Sequence, residues 1–341
     1  YHSFDREFGN IRVIEFDADN NLFRKVRSIL YKSIRYITTI PFYSEKVINR
    51  NNKKILKHTE YLICVNQRVC FSLMPISLIK KIRGSLKITV FVMGLFLDIK
   101  RHPIRMFLRD FFIKFFCWFS DNIIFLSENE MSFATANYSK YSNKFYFLPF
   151  SIDTDFWVNI EKNNSKSHIL FIGNDEKRDF EFVKKIPMQI PSYNFIFISK
   201  FIHEKEFDVL QNLKIINGKW SEDTLSDKEL REIYKKSIIS LIPLHDSYQP
   251  SGQSVALQSM SMGIPTMITR TKGFWDYSKF EHKENIIFME SNNLEDWVLM
   301  INILIKDEKL RNHIGQKSIE NTKVNYNLEI FYAKLKEIMF T

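Results

Sequence analysis

The chain has 341 residues, 45% of them hydrophobic, with a formal charge of +10 and only three cysteines. That length points to two domains, and that much apolar side chain excludes global disorder. No apolar run reaches about 18 residues without a charge, which excludes a spanning helix, and unpaired cysteines in apolar surroundings suit reduced cytosolic thiols rather than a secreted scaffold.

The charge is uneven along the chain. Residues 1–150 hold 24 Lys and Arg against 12 Asp and Glu, whereas residues 151–341 hold 25 against 27. The basic half suits an anionic partner such as nucleic acid, anionic lipid or a phosphorylated acceptor, or serves solubility alone. The chain starts at Tyr1 in what reads as the middle of a domain, so a first strand is expected to be missing.

In chain order, the first half predicts strands at Arg12–Phe16, Tyr61–Val65, Ile88–Met93, Asn122–Ser127 and Lys144–Leu148, with helices over Leu22–Tyr36 and Ile104–Phe119. Asn66, Gln67 and Arg68 close one strand, and Gly94 follows another, with Asp98 and His102 just beyond. These are the acceptor-side candidates, although His102 reads better as an ordinary loop histidine than as a base. In the helix, Arg101, Arg105 and Arg109 recur every four residues, while Phe107, Leu108, Phe111, Phe112, Phe115 and Phe116 occupy the rest. A helix lying in the interface of an anionic membrane would read this way, and so would a core helix covering the sheet, which its position favours; both hold if only the basic edge is exposed. No nucleic-acid module is recognisable, and nucleic acid is not expected as a partner.

A polar stretch, VNIEKNNSKS (158–167), separates this half from a second run of the same kind. Strands are expected at His168–Gly173, Asn194–Ser199, Lys214–Asn217, Ile238–Pro243, Pro265–Thr269 and Ile286–Met289. Helices are expected at Asp179–Lys185, Asp227–Lys236, Ser254–Met262, Leu294–Lys306 and Leu328–Met339. Continuous apolar strands alternating with helices predict an α/β chain with two doubly wound parallel sheets. Ligands of such sheets bind beyond the carboxyl ends of the strands, in a cleft if the two domains face each other.

Two strand exits carry the chemistry. Gly173 is followed by a polar loop with Lys177 and Arg178, cations suited to clamping phosphate. After Pro243, Ser251-Gly252-Gln253-Ser254 leads into a helix with small Ala256, Ser259 and Ser261, ending at Gly263. Free N–H groups and the helix dipole favour an anion at Gly252, and Ser251 and Ser254 add hydroxyl donors; a capped, closely packed structural helix would read the same way.

PSGQSVALQSMSMGIPTMIT resembles the donor-site segment of family 4 glycosyltransferases, whose GT-B architecture has two Rossmann-like domains facing across a cleft. ILFIGNDEKRDF, WSEDTLSDKELREIYKKSIISLIPL and LPFSIDTDFW (148–157) are similar to neighbouring segments in the same order, so the resemblance covers roughly 120–340 by motif and 1–120 by pattern. It implies an N-terminal acceptor-side domain (1–157), a nucleotide-sugar donor domain (158–325) and a C-terminal helix (326–341) returning toward the first. It further implies a retaining, metal-independent, hexosyltransferase-type enzyme. Such an enzyme moves sugar from a nucleotide diphosphate sugar, UDP- or GDP-linked, to a saccharide or lipid-linked acceptor in polysaccharide, glycolipid or glycan-precursor synthesis. No tightly bound cofactor is implied, and the setting is cytoplasmic, with the inner face of the membrane a candidate. Arg178 and Lys177 would hold the donor diphosphate and neutralise leaving-group charge, with Gly173, Ser251, Gly252, Gln253 and Ser254 around it.

The family's two glutamates fall on Pro250 and Gln258. Gln258 can still bond ribose hydroxyls, without the charge assistance of a carboxylate, and Asp246 is the candidate to reach the donor sugar. DTD (153–155) and DAD (17–19) match the carboxylate pair of metal-dependent transferases, but one lies in the domain connection and the other after an early strand, so no metal site is assigned. The missing glutamates keep a donor-binding but inactive module in play, and a sugar-nucleotide epimerase of the same fold competes among enzymes.

Overall fold

The apolar runs pair in parallel wherever they pair. The computed structural model describes all residues except 1, 15, 17–21, 98–101, 160–165, 204–209, 219–224 and 341. It divides into two units, Tyr1–Leu148 with Tyr332–Thr341, and Pro149–Phe331.

The first unit holds strands β1 (Tyr61–Cys64), β2 (Lys87–Val92), β3 (Asn122–Phe125) and β4 (Phe145–Phe147), side by side in that order. Helices α1 (His2–Phe8), α2 (Leu22–Thr38) and α3 (Arg50–Lys57) precede the sheet, and α4 (Gln67–Ile82), α5 (Pro103–Phe119) and α6 (Glu128–Asn137) connect its strands. Phe71 of α4 stacks on Phe116 of α5 at 4.8 Å over Leu62, Ile88, Val90 and Phe125. All three cysteines are buried and free, and burial pushes the Cys117 thiol up to about 12.

One reading of this unit changes. The strand expected at Arg12–Phe16 does not form at 12–14 or 16, and Glu15 lies outside the described residues. Conversely, α4 forms although the sequence shows no apolar stripe and carries Pro75 inside the helix. It is fixed from outside: Asn66 caps the Val69 N–H at 3.0 Å, and Cys70, Phe71, Leu73 and Met74 are all buried.

The second unit holds β5 (His168–Ile172), β6 (Asn194–Ile198), β7 (Leu213–Ile216), β8 (Ser237–Ile242), β9 (Thr266–Thr269) and β10 (Ile287–Met289). Their order is β10-β9-β8-β5-β6-β7, so it reverses between β5 and β8. Helices α7 (Phe180–Val183), α8 (Ile186–Gln189), α9 (Asp227–Lys235), α10 (Gln253–Ser261), α11 (Leu294–Lys306), α12 (Glu308–Asn325) and α13 (Leu328–Phe340) complete it, α13 passing into the first unit at Tyr332. Alternate strand residues face opposite ways. Leu170, Ile172, Ile242 and Ile268 meet Leu230, Tyr234, Ala256 and Met260. Ile169, Phe171, Leu241 and Met267 meet Val183, Ile186, Trp297 and Ile301. Both faces are therefore covered, which is why these strands are predominantly apolar.

Residues 149–157, read from the sequence as the end of the first domain, belong to the second unit. Ile152 N–H donates to Tyr326 O at 2.9 Å, the Trp157 ring meets Tyr234 edge-on at 5.6 Å, and Ser261 Oγ donates to Trp157 O at 2.6 Å.

Helices α10 and α12 approach unusually closely. Gly263 takes φ +71°, and a Cβ on Gly315 would stand 2.4 Å from the Gly263 carbonyl oxygen. We expect Gly315→Ala to destabilise the protein by about 1–3 kcal/mol although alanine favours the helix by about 1 kcal/mol. Thermal unfolding should register a fall of about 2–4 °C per kcal/mol, and an unchanged or raised midpoint would contradict the close approach.

Candidate functional site

Where strand order reverses, the loops leaving neighbouring strands diverge and open a crevice. At the β5–β8 reversal the two exits are zipped together before they part. Arg178 and Leu244 form an antiparallel bridge, Asp179 N–H donates to Pro243 O at 3.0 Å, and His245 N–H donates to Lys177 O at 2.9 Å. Leu244 N–H in turn donates to Thr269 Oγ1 at 2.9 Å, and Thr269 Oγ1 donates to Asn292 Oδ1 at 2.6 Å. Asn292 Nδ2 closes the network on Asp179 Oδ2 at 2.8 Å and Leu244 O at 3.0 Å. Asn174 ties the same loop to the β6 exit by accepting the Lys200 N–H at 2.8 Å.

Arg178 sits inside this frame with 3% of its surface exposed. Two glycines make room for it. A Cβ on Gly173 would stand 2.7 Å from Arg178 Cγ, and one on Gly252 would stand 2.7 Å from Arg178 Nη1 and 2.8 Å from Ile242 Cγ2. Gly252, at φ +79°, is the N-cap of α10, so the guanidinium lies beside the first turn of that helix. Its Nε is 3.3 Å from Asp175 Oδ2, yet both Nε and Nη1 are buried without a hydrogen-bond acceptor. Burial pulls its pKa below the ordinary value, while the negative charge of Asp175 opposes that shift. A buried cation with orphaned donors, beside a helix N-terminus, attracts an anion.

Asp175 is the organiser that sequence reasoning missed. Besides facing Arg178, its Oδ1 accepts from Ser251 Oγ at 2.8 Å and from Lys177 N–H at 3.0 Å. The structure thus brings together Gly173, Lys177, Arg178, Ser251 and Gly252. Gln253 is buried and Ser254 exposed at the start of α10. Gln258, half-buried further along that helix, accepts from the Tyr234 hydroxyl at 3.1 Å through its side-chain oxygen. Tyr234, also missed, is wholly buried, and burial raises its pKa. Asp246 turns elsewhere: it accepts from Lys272 N–H at 3.2 Å and pairs with Lys272 Nζ at 3.3 Å.

Other candidates have structural partners. Asp153 of DTD caps a turn by accepting from Asp155 and Phe156 N–H groups at 3.1 and 2.9 Å, while Asp17 and Asp19 lie outside the described residues. Gln67 clamps Met93, donating to its O at 2.9 Å and accepting from its N–H at 3.1 Å. The amides after β2 are answered within the chain, since buried Glu130 accepts from Gly94 N–H at 2.8 Å and Phe96 N–H at 3.4 Å. Burial raises the pKa of Glu130 and these bonds oppose it. Arg68 lies over the Tyr43 ring at 4.2 Å, His102 is exposed ahead of α5, and Asp98 and Arg101 lie outside the described residues.

No protein-family model matches the chain, and no curated protein matches it. Solved structures do. HepE from Anabaena, in complex with UDP and glucose, aligns with TM-score 0.65 at 9% identity over 97% of this chain and 86% of that one. Sucrose-phosphate synthase from Thermosynechococcus elongatus aligns with TM-score 0.66 at 12% identity, over 89% and 78%. A glycosyltransferase from Rickettsia africae aligns with TM-score 0.56 at 13% identity, over 84% and 91%. With the two parallel sheets, these likenesses establish the two-domain, Rossmann-like GT-B fold.

The Gly173–Arg178 contact is testable on the unliganded protein. Gly173→Ala should cost about 1–3 kcal/mol of stability, because its Cβ meets the root of a buried side chain that cannot swing away. In an Arg178→Ala background that cost should fall below about 0.5 kcal/mol. Urea unfolding of the four proteins measures the coupling, and additive losses would place the strain elsewhere.

Proposed function

We propose that the second unit binds a nucleotide diphosphate sugar at the β5–β8 reversal and that the protein transfers the sugar to a saccharide or lipid-linked acceptor. The observation that carries this reading is the buried Arg178 guanidinium, with Nε and Nη1 unanswered beside the α10 N-terminus. A diphosphate supplies the acceptor oxygens those donors lack, and Lys177 on the same loop adds a second cation. HepE, which shares the fold, has been solved with UDP, UDP-glucose and glucose, so UDP is the first nucleotide to test.

In the reaction, the bond between the sugar anomeric carbon and the diphosphate oxygen breaks, with its electron pair left on the phosphate. The acceptor hydroxyl oxygen bonds that carbon, and its proton passes to the departing phosphate or to water. Arg178 and Lys177 stabilise the charge developing on the diphosphate and need donate no proton. Retention of configuration and independence from metal belong to this proposal, as do action at the cytoplasmic face and the hexosyl nature of the donor.

One observation favours a second reading, binding without turnover. Pro250 is buried, and the side-chain oxygen of Gln258 is already engaged by Tyr234, so neither position supplies a carboxylate. Release of nucleotide diphosphate from the sugar donor with candidate acceptors separates the two: a binding module shows ligand-induced stabilisation and no release.

A thermal-shift panel of UDP, GDP, ADP and their sugars tests the site itself. One nucleotide diphosphate should raise the midpoint of the native protein. Arg178→Met should lose that response while being more stable by about 1–3 kcal/mol without ligand, because it removes a buried charge with unmet donors. No response of the native protein to any of these nucleotides would defeat the assignment.

A further inference from the structure

The outer faces of α2 and α5 break the usual rule of burial. On α5, Ile104, Phe107, Phe111 and Trp118 are 64%, 72%, 58% and 46% exposed. At about 100° per residue these four fall on one narrow stripe. The opposite side of α5 is the one that packs, with Ile113, Phe116 and Cys117 buried. Arg109 is buried there too, donating to Thr39 Oγ1 at 2.9 Å and to the Leu95 carbonyl, and Arg105 lies 4.7 Å over the Tyr36 ring. The basic edge expected to face outward is therefore turned inward at Arg109, and the aromatic edge faces out. Helix α2 packs against α5 and exposes Ile29, Leu30 and Ile37.

Charge decides what such a face would meet. By sequence α2 and α5 carry eight Lys and Arg and a single acid, Asp110. Of the described side chains Arg109 is buried, Arg35 pairs with Glu45 at 3.0 Å and Lys114 with Asp110 at 2.7 Å, which leaves Lys32 exposed and Arg105 half-buried. A second copy docked face to face would bring two cationic surfaces together. An anionic bilayer offers the opposite charge, at about 1 kcal/mol per nearby Lys or Arg, and an interfacial layer in which Trp and Phe are at home. No described helix is long and apolar enough to cross a membrane, so contact would be with the surface. We infer that the α2–α5 face docks the protein onto an anionic lipid bilayer, by aromatic insertion from α5 supported by the exposed Lys32 of α2 and the half-buried Arg105 of α5. This inference does not rest on the proposed transferase activity.

Flotation with phosphatidylcholine vesicles, with and without phosphatidylglycerol, tests it on the full chain. The native protein should float with the phosphatidylglycerol vesicles, at least about tenfold more tightly than with phosphatidylcholine alone, and high salt should weaken the association. Phe107→Ser/Phe111→Ser should lower binding by about tenfold or more, since each exposed ring contributes more than a tenfold factor when buried. Its unfolding midpoint and its response to nucleotide should stay native, which separates failure of docking from failure of the donor site. Three results would overturn the inference: no preference for phosphatidylglycerol, undiminished binding by the double variant, or a native dimer that the variant converts to monomer without any vesicle binding.

Discussion

A guanidinium buried without enough acceptors is the constraint around which the second unit is built. Burying a cation is costly, and leaving its donors unmet adds to the cost. The surrounding residues make that arrangement sterically possible rather than electrostatically comfortable. Gly173 clears the root of the Arg178 side chain and Gly252 clears its head. Asp175 gives one partial partner at 3.3 Å, and its own carboxylate is shared with Ser251 and Lys177. The small residues around α10 thus have two sources: room for the chain's own arginine at the first turn, and close approach to α12 at Gly263 and Gly315.

Such a group stays in place only if the frame around it is stiffer than the force expelling it. The exits of β5, β8 and β9 are joined by backbone bonds and by the Thr269–Asn292–Asp179 chain, whose members each satisfy more than one partner. Asp179 also caps the first turn of α7 through Phe182 N–H at 3.0 Å. A shift of the arginine loop would break several of these bonds at once.

The strands of the second unit were legible because a parallel strand covered on both faces is buried at every position and so reads as a largely apolar run, as β5 and β8 do despite His168, Ser237 and Ser240. Lys177, Arg178 and the Ser251–Gly252 turn were legible because ligands gather at strand exits, a rule that needs only the strand ends. Their partners were not. Asp175 and Tyr234 act on groups in segments 76 and 24 residues away in sequence, which no local pattern reveals. In the first unit, α4 was hidden because its apolar residues form no single stripe and because Pro75 interrupts it, and it is tertiary packing that makes it a helix. The periodicity of α5 revealed two stripes without saying which faces inward. That choice came from Thr39 and the Leu95 carbonyl, distant polar groups that answer the Arg109 guanidinium.

Arg178 and α5 depart from ordinary burial in opposite directions. In the second unit a charge is inside and short of acceptors; in the first, aromatic rings are outside and short of apolar cover. Neither deficit can be relieved by the residues around it. The glycines and the zipped loops hold Arg178 where it is, and the packing of Ile113, Phe116 and Arg109 fixes the rotation of α5. Each arrangement lowers the stability of the isolated chain and would regain it on contact with matter of complementary character, oxygen anions in one case and an anionic apolar interface in the other. The mismatches are also chemically distinct, so a partner suited to one gains little from the other. A diphosphate has no use for exposed phenylalanines, and a bilayer surface has no access to a guanidinium enclosed between two glycines. The two units therefore point to two kinds of partner, each identified by what the fold leaves unsatisfied.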